Sequence, residues 1–471
     1  MRVLLINPSI LDILPNKEYI PPSSLLYLGA VLVRHGVEVE ILDLNIYKPW
    51  QKNLGSEQFN EEDVVLQHIS TFKPLLIGFG CLFSGQFSAI LKYSERIRRE
   101  FEKIPIVIGG MHPTLFAKEI IQHCPSIDYV VIGEGEEQIV NLIEVITQGN
   151  MDYLSHCNGI AYRKDGQVIV QPKTHYIKNL DELPFPAYEL IDFKNYSHST
   201  SHWHNPKNLV FNMSVPLISS RSCPNRCNFC SMFLVMGPKI RIRSPQNVVD
   251  EIQLLHDRFG HTHFSFMDDN INLIQGHIIS ICNEIIRRKL DIQFETPNGL
   301  SINPLNREVT DAMVNAGWVR GAIAIESGSD FIRNKVMGKH LQREKIMEVV
   351  QLLKGYEELY VKAYFIIGMP EETPHTLTET YEMIKEIDLD EIYVTNLMPF
   401  PGTPVFEQAK RDHLFVDEID IPNIWKMTGF HYHNNKRFYI KPYEMGIEEL
   451  NMFREKFDHL LMDLKKEKKI R

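Results

Sequence analysis

Short apolar runs alternate with stretches of helical spacing along two long parts of this chain, and this alternation constrains the fold more than any other feature. In residues 1–145 the apolar runs are "RVLLINP", "VEVEILDL", "PLLIGFGC", "IPIVIGGMH" and "DYVVIGEGE". Helical spacing appears between or after them in "SSLLYLGAVLVRHG", "GQFSAILKYSERIRREFE" and "EEQIVNLIEVI". Strands buried on both faces read as unbroken apolar runs, and parallel neighbours need crossovers of a dozen or more residues. Residues 1–145 are therefore expected to form a doubly wound α/β domain. Ligands of such sheets sit at the carboxyl ends of the strands. Polar and glycine-rich turns fall there at 7–9, 43–45, 80–84, 109–114 and 133–136.

The second alternation begins at Val215, with strands expected in "VPLISS", "HFSFMDD", "QFETPNGL", "VRGAIAIES", "YVKAYFIIGMP" and "EIYVTNLMPF". Each but the last is followed by a helical pattern. This predicts a parallel (β/α) barrel, partial or full, over residues 213–405, with its chemistry at the carboxyl ends of the strands. Residues 146–212 read as a connecting region. It holds a hairpin, "IAYRKDGQVIVQP", turning at Asp165-Gly166. A proline-broken linker follows, and then a polar loop with His198, His202 and His204. Residues 406–471 read as a small helical appendage whose main helix runs from Ile447 to Lys469.

Apolar residues make up 44% and charged residues 23%, as in an ordinary enzyme, and the net charge of -10 argues against a nucleic-acid partner. The basic tail "KKEKKIR" reads as a solvated helix end. No apolar run has the length of a transmembrane segment or a signal peptide, so a cytoplasmic protein with reduced thiols is expected.

Three of the seven cysteines stand together in "SRSCPNRCNFC", just after the first strand of the second alternation. Structural zinc takes four protein ligands, often as two C-x2-C pairs; here the second pair is missing. A dithiol redox pair would leave Cys223 unexplained. Three thiolates on one loop can hold three irons of a cubane cluster and leave the fourth open.

Cys223, Cys227 and Cys230, with the aromatic Phe229 before the last, resemble the signature loop of the radical S-adenosylmethionine (SAM) enzymes. The resemblance implies a 4Fe-4S cluster whose open iron chelates the methionine part of SAM, with Phe229 near the adenine. Downstream motifs resemble the same family in the same order. "FMDDNI" puts Asp268 and Asp269 where many members have Gly-Gly-Glu for SAM's amino group. "IAIESGS" supplies Glu326 and Ser327 toward ribose and carboxylate. "IIGMPEET" supplies Gly368 beside adenine, and "PFPGTPVFE" closes the barrel.

The amino-terminal part, with "IGGMHPT", "DYVVIGEGE" and the linker "LDELPFPAYELID", resembles the flavodoxin- or Rossmann-like cobalamin-binding domain fused to many radical SAM enzymes. That likeness implies cobalamin contacts at Ser9, Asp43, Asn45, Gly110, His112, Thr114, Gly133, Glu134 and Gly135. Many cobalamin proteins carry an Asp-x-His-x-x-Gly loop whose His ligates cobalt. Here "LDLNIYKPW" has Asn45 in that place, which implies cobalamin held without that ligand. His112 lies off this loop and reads as a hydrogen-bonded turn histidine.

Taken together, the resemblances imply an enzyme. An electron from the reduced cluster would cleave SAM to methionine and a 5'-deoxyadenosyl radical. The radical would take hydrogen from an unactivated carbon, and methylcobalamin would then deliver a methyl group. The expected partners are a small-molecule, natural-product or lipid substrate lying between the two domains and an electron donor such as a flavodoxin or ferredoxin. Tyr364, His202 and His204 are candidate wall residues. Oxidative cyclisation or ring rearrangement, methylthio transfer, and a corrinoid or iron-sulfur sensor without turnover are the competing readings.

Overall fold

The computed structural model describes residues 1–9, 20–46, 60–196, 207, 209, 213–426 and 437–470, the last four by backbone alone. His198, His202 and His204 lie outside the described residues. The chain divides into two compact units: residues 1–197 with 234–237 and 420–433, and residues 198–233 with 238–419 and 434–471.

In the first unit β1 (Arg2–Asn7), β2 (Glu38–Asp43), β3 (Leu76–Gly80), β4 (Ile106–Gly109) and β5 (Tyr129–Val131) are parallel. Val3, Leu4, Leu5 and Ile6 are all buried, so β1 is covered on both faces, as its unbroken apolar run requires. The helix Glu61–Phe72 shows how a crossover is delimited. Asn60 accepts the Glu62 N–H at 3.0 Å, and three acidic residues in the first turn meet the positive end of the helix dipole. The helix ends where Lys73 turns left-handed.

Two antiparallel strands, β6 (Ile160–Lys164) and β7 (Gln167–Gln171), complete this sheet in the order β2-β1-β3-β4-β5-β6-β7. Asp165 and Gly166 turn the hairpin with positive φ at both positions, which matches the twist of its strands. Sequence alone puts this hairpin in a connecting region. It joins the sheet because Ile160 and Tyr162 bury their side chains in the first unit's core. The proline-broken stretch is likewise not a loose linker: Leu180 and Tyr188 are buried, and Leu190 packs on that same core. The chain order reverses between β1 and β3, the crevice where such sheets bind ligands.

In the second unit β8 (Val215–Leu217) leads to a short antiparallel ribbon of β9 (Ser220–Arg221) and β10 (Arg241–Ile242). The parallel strands β11 (His263–Phe266), β12 (Gln293–Leu300), β13 (Trp318–Glu326), β14 (Tyr360–Ile367) and β15 (Glu391–Asn396) follow. Their order, β15-β14-β13-β12-β11-β8, leaves β8 and β15 as edges, so the barrel is partial. Along β14, Val361, Ala363, Phe365 and Ile367 are fully buried on one face, while Tyr364 and Ile366 are half-buried on the other. The helix Ile447–Ile470 does more than append to this unit. Arg454 donates to the Val394 carbonyl at 2.6 Å, and the buried Phe457 ring lies 5.8 Å from Tyr381, so the helix covers the edge strand β15. Among the described residues no helix is long and apolar enough to cross a membrane.

Candidate active site

The cysteine loop leaves the carboxyl end of β8 through β9, and Ser222 takes a left-handed φ of 74° immediately before Cys223. Main-chain bonds pin the loop. Cys230 N–H reaches Cys227 O at 3.1 Å, Asn228 N–H reaches Met337 O at 3.2 Å, and Val405 N–H reaches Asn228 O at 3.1 Å. Phe229 packs against the core that contains Ile332, Met337 and Val405. Cys227 is buried, and Cys223 and Cys230 are half-buried. Burial raises the Cys227 thiol, with Lys339 opposing it, and pushes Cys230 up to about 12. Thiolates at these positions therefore call for bound cationic charge. Three thiols on one loop are one short of the closed four-ligand shell of structural zinc, and they suit a multinuclear cluster that takes one thiolate per iron.

The turn after β11 grips this loop. Asp268 is buried and accepts from Ser219 N–H (3.1 Å), Ser219 Oγ (2.7 Å) and Ser220 Oγ (2.6 Å). Burial raises its carboxyl, and these donors oppose the shift. Asp269 accepts the Ser222 N–H at 2.9 Å, and burial lifts its carboxyl to about 6. Both carboxylates thus hold the backbone and hydroxyls that carry Cys223. Asn270, which sequence reasoning passed over, donates from Nδ2 to Cys223 Sγ at 3.6 Å and to Ser301 Oγ at 2.7 Å. Asn272 fixes the turn to the end of β12 by bonding both Ser301 O (2.8 Å) and Ser301 N–H (3.0 Å).

At the end of β13, Glu326 is buried with φ 71°, and a bulge breaks the register with β14. Lys339, also unmarked by the sequence, pairs with Glu326 at 3.3 Å. Burial opposes the Lys339 charge, but Glu326 and Cys227 more than offset it and hold the ammonium above its usual range. The Ser327 hydroxyl meets Thr380 Oγ1 at 3.2 Å and accepts the Ser329 N–H at 3.2 Å. Gly368 has φ 98°, and its N–H donates to Glu372, as does Met369 N–H at 3.2 Å. Burial pushes the Glu372 carboxyl up to about 8 against those two bonds. Tyr364 donates to Pro297 O at 2.7 Å.

The other expected residues gather at the strand ends of the first unit. Asp43, the last residue of β2, accepts from Asn45 N–H (3.0 Å), Asn45 Nδ2 (2.8 Å), Asn7 Nδ2 (3.0 Å) and Tyr196 OH (3.1 Å). Asn45 Nδ2 also reaches Pro8 O at 3.2 Å, which ties the turn after β2 to the end of β1. Ser9, after β1, is buried. Thr114 Oγ1 donates to Gly110 O at 2.7 Å and accepts the Gly133 N–H at 2.9 Å, stapling the turns after β4 and β5. Glu134 accepts the Ile177 N–H at 3.1 Å, and Gly135 caps the helix Glu136–Gln148. His112 lies between the rings of Phe87 (4.6 Å) and Phe116 (4.9 Å), and its Nδ1 meets Ser84 Oγ at 2.9 Å. Its Nε2 is buried with no partner among the described residues.

Residues 15–143 match the B12 binding domain family, and residues 217–384 match the radical SAM superfamily. An uncharacterized methyltransferase of Pyrococcus horikoshii is 30% identical over 430 residues, covering 88% of this chain and 84% of the relative. The chain belongs to the radical SAM enzymes that carry a B12-binding domain. Cytidylyl-2-hydroxyethylphosphonate methyltransferase of Streptomyces wedmorensis is 28% identical over 91% of this chain and 84% of its own length. The anaerobic magnesium-protoporphyrin IX monomethyl ester cyclase of Rubrivivax gelatinosus is 27% identical over 87% and 70%. The radical SAM methyltransferase TsrM of Kitasatospora setae shares the fold, with a TM-score of 0.73 at 18% identity over 97% of this chain and 88% of that one.

As a member of this family the chain is an enzyme whose cofactors are a 4Fe-4S cluster, SAM and cobalamin. The residues present fit them. Three separate thiols on a pinned loop suit the cluster. The first unit's strand ends combine an orphaned buried imidazole nitrogen with turns too tight for side chains, and they offer no histidine after Asp43.

Proposed function

We propose that this enzyme methylates an unactivated carbon of a small molecule. The observation that carries the proposal is the three-thiol loop at the strand ends of a partial barrel, in a chain that also has a B12-binding domain. Both methyltransferase relatives match along most of their length. When bound, the cluster, SAM and cobalamin would supply the electron, the hydrogen-abstracting radical and the methyl group.

The chain's own residues bind and orient. Cys223, Cys227 and Cys230 hold the cluster. Asp268 and Asp269 hold the loop that presents Cys223, beside the SAM contact expected of them. Phe229, Glu326, Ser327 and Gly368 form the rest of the SAM site, and Lys339 holds the Glu326 side chain in place. Ser9, Asp43, Asn45, Gly110, His112, Thr114, Gly133, Glu134 and Gly135 form the cobalamin edge. Tyr364 walls the substrate site. A flavodoxin or ferredoxin supplies the electron, in the cytoplasm, and the substrate is a natural product or lipid. The functional segments run over residues 1–145, 146–212, 213–405 and 406–471.

The decisive experiment is anaerobic. The chain is loaded with iron, sulfide and hydroxocobalamin, reduced, and given SAM with candidate substrates. Formation of 5'-deoxyadenosine, together with a product heavier by one methyl-for-hydrogen exchange, is expected. Radical formation with a product that has lost hydrogen and gained no methyl would replace this reading with oxidative cyclisation, which the cyclase relative favours. Methylthio transfer is disfavoured because Cys81, Cys124 and Cys157 are buried and stand singly in the sequence, without the spacing of a second three-cysteine loop. Absence of SAM cleavage would leave a sensor.

A further inference from the structure

We propose that Asn270 sets the reduction potential of the cluster through an N–H···S hydrogen bond to Cys223, and that the turn 268–272 exists to hold that bond. The inference rests on the cluster reading of the three cysteines. It explains why this chain has "MDDNIN" at the end of β11. The turn works as a clamp with two jaws. Asp269 takes the main-chain N–H of Ser222, the residue before Cys223, at 2.9 Å. Asn270 takes the thiol of Cys223 itself, at 3.6 Å.

Neither jaw is free to drift. Asn270 is only 5% exposed, and the same Nδ2 is anchored on Ser301 Oγ at 2.7 Å. Ser301 is in turn held through its own N–H and C=O by the fully buried Asn272. Asp268 ties the amino side of the turn to Ser219 and Ser220. The 47-residue separation of Asn270 from Cys223 is thus bridged by a chain of side-chain bonds, each shorter than the N–H···S contact they position.

The physical consequence follows from charge. Reduction adds an electron that spreads onto the sulfurs. An N–H dipole aimed at a ligand sulfur stabilises the more negative state, and hydrogen bonds to sulfur are among the main determinants of iron-sulfur potentials. Burial of the thiols acts in the opposite sense by disfavouring added charge. Asn270 partly offsets that cost. As a side chain, unlike a main-chain donor, it can be removed without moving the loop.

The test uses the full-length, iron-loaded enzyme and reads the cluster midpoint potential by EPR-monitored titration without substrate. Asn270→Leu, which keeps volume and removes the donor, is expected to lower the potential enough to cut the reduced fraction about tenfold at fixed solution potential, 59 mV for one electron. Asn270→Asp, nearly isosteric but without a donor, is expected to lower it further. Asn272→Ala loosens the same turn yet keeps the donor, and should lower the potential by less than either Asn270 variant. An unchanged potential in fully loaded Asn270→Leu and Asn270→Asp overturns the proposal, as does an equal shift in Asn272→Ala. Should the Asn270 variants fail to load iron, enzyme labelled with side-chain 15N asparagine in an Asn228→Asp background decides. A 15N hyperfine coupling at the reduced cluster supports the bond, and its absence overturns it. Failure of the wild-type chain to load iron would instead overturn the cluster reading.

Discussion

Both units place their polar residues at the carboxyl ends of parallel strands, yet the two edges are finished in opposite ways. In the first unit the edge is nearly saturated, with His112 Nε2 left without a partner among the described residues. Asp43 has four donors, Asn45 is spent on Asp43 and Pro8, and Thr114 closes two turns onto each other. In the second unit the saturating bonds stop one step short of the chemistry. Asp268 and Asp269 satisfy the strand-end backbone and hydroxyls, while the three thiols are left to a ligand. A nearly saturated edge holds a large prefabricated cofactor by shape and main-chain approach. An edge with unsatisfied soft donors assembles its cofactor from ions. The same sheet rule therefore serves two kinds of binding, and the hydrogen-bond inventory separates them.

The sharpest way to break this comparison is Cys227→Ala. It is expected to drop iron from about four per chain and reduce SAM cleavage to background, because a cubane needs a thiolate on each protein-bound iron. Cobalamin retention should not change. Iron analysis, 5'-deoxyadenosine yield and the corrin absorbance of one desalted sample report all three. Loss of cobalamin together with iron would show that the two edges are not independent.

A smaller effect is expected from Gly110→Ala on the first edge. Gly110 has φ 116°, and a Cβ there would lie 2.4 Å from the Cys81 carbonyl oxygen. Left-handed strain alone costs about 1–3 kcal/mol, and the backbone must also shift. Cobalamin should elute on desalting while iron content stays at the wild-type level. Retention of both would mean that the turn after β4 does not shape the cobalamin edge.

How much of this was legible in the sequence follows from how local each feature is. The strands of both sheets, the Asp165-Gly166 turn and the terminal helix from Ile447 are written in neighbouring residues, and they appear where the periodicity places them. The spacing of Cys223, Cys227 and Cys230 is local too. Features made by distant pairs were not legible. Whether the hairpin 160–171 joins β5 depends on a core that its own residues do not describe, and the same holds for helix 447–470 covering β15 through Arg454 and Val394, 60 residues apart. Asn270 looks like one more turn-forming amide until Cys223 is seen beside it. Its only sequence signal was its place directly after two acidic residues at a strand end.

The smallest effect tests how completely the first edge excludes charge. His112 is buried between two phenyl rings, and burial lowers its imidazole to about 3. In the unfolded chain a histidine takes a proton near pH 6.5. Between those values the unfolded chain binds the extra proton and the folded chain refuses it. The stability carried by the neutral ring is therefore complete above about pH 6.5 and is lost as pH falls toward 3. At about 1.4 kcal/mol per pH unit, going from pH 7.5 to 5.5 should lower the local opening free energy by roughly 1.4 kcal/mol. Hydrogen exchange of peptides spanning β3 and β4 reads this directly. His112→Gln should flatten the dependence while peptides from β13 and β14 keep their wild-type pH response. An unflattened response would mean that the imidazole admits a proton in the folded state, and that the orphaned Nε2 faces solvent or a bound acceptor rather than a sealed edge.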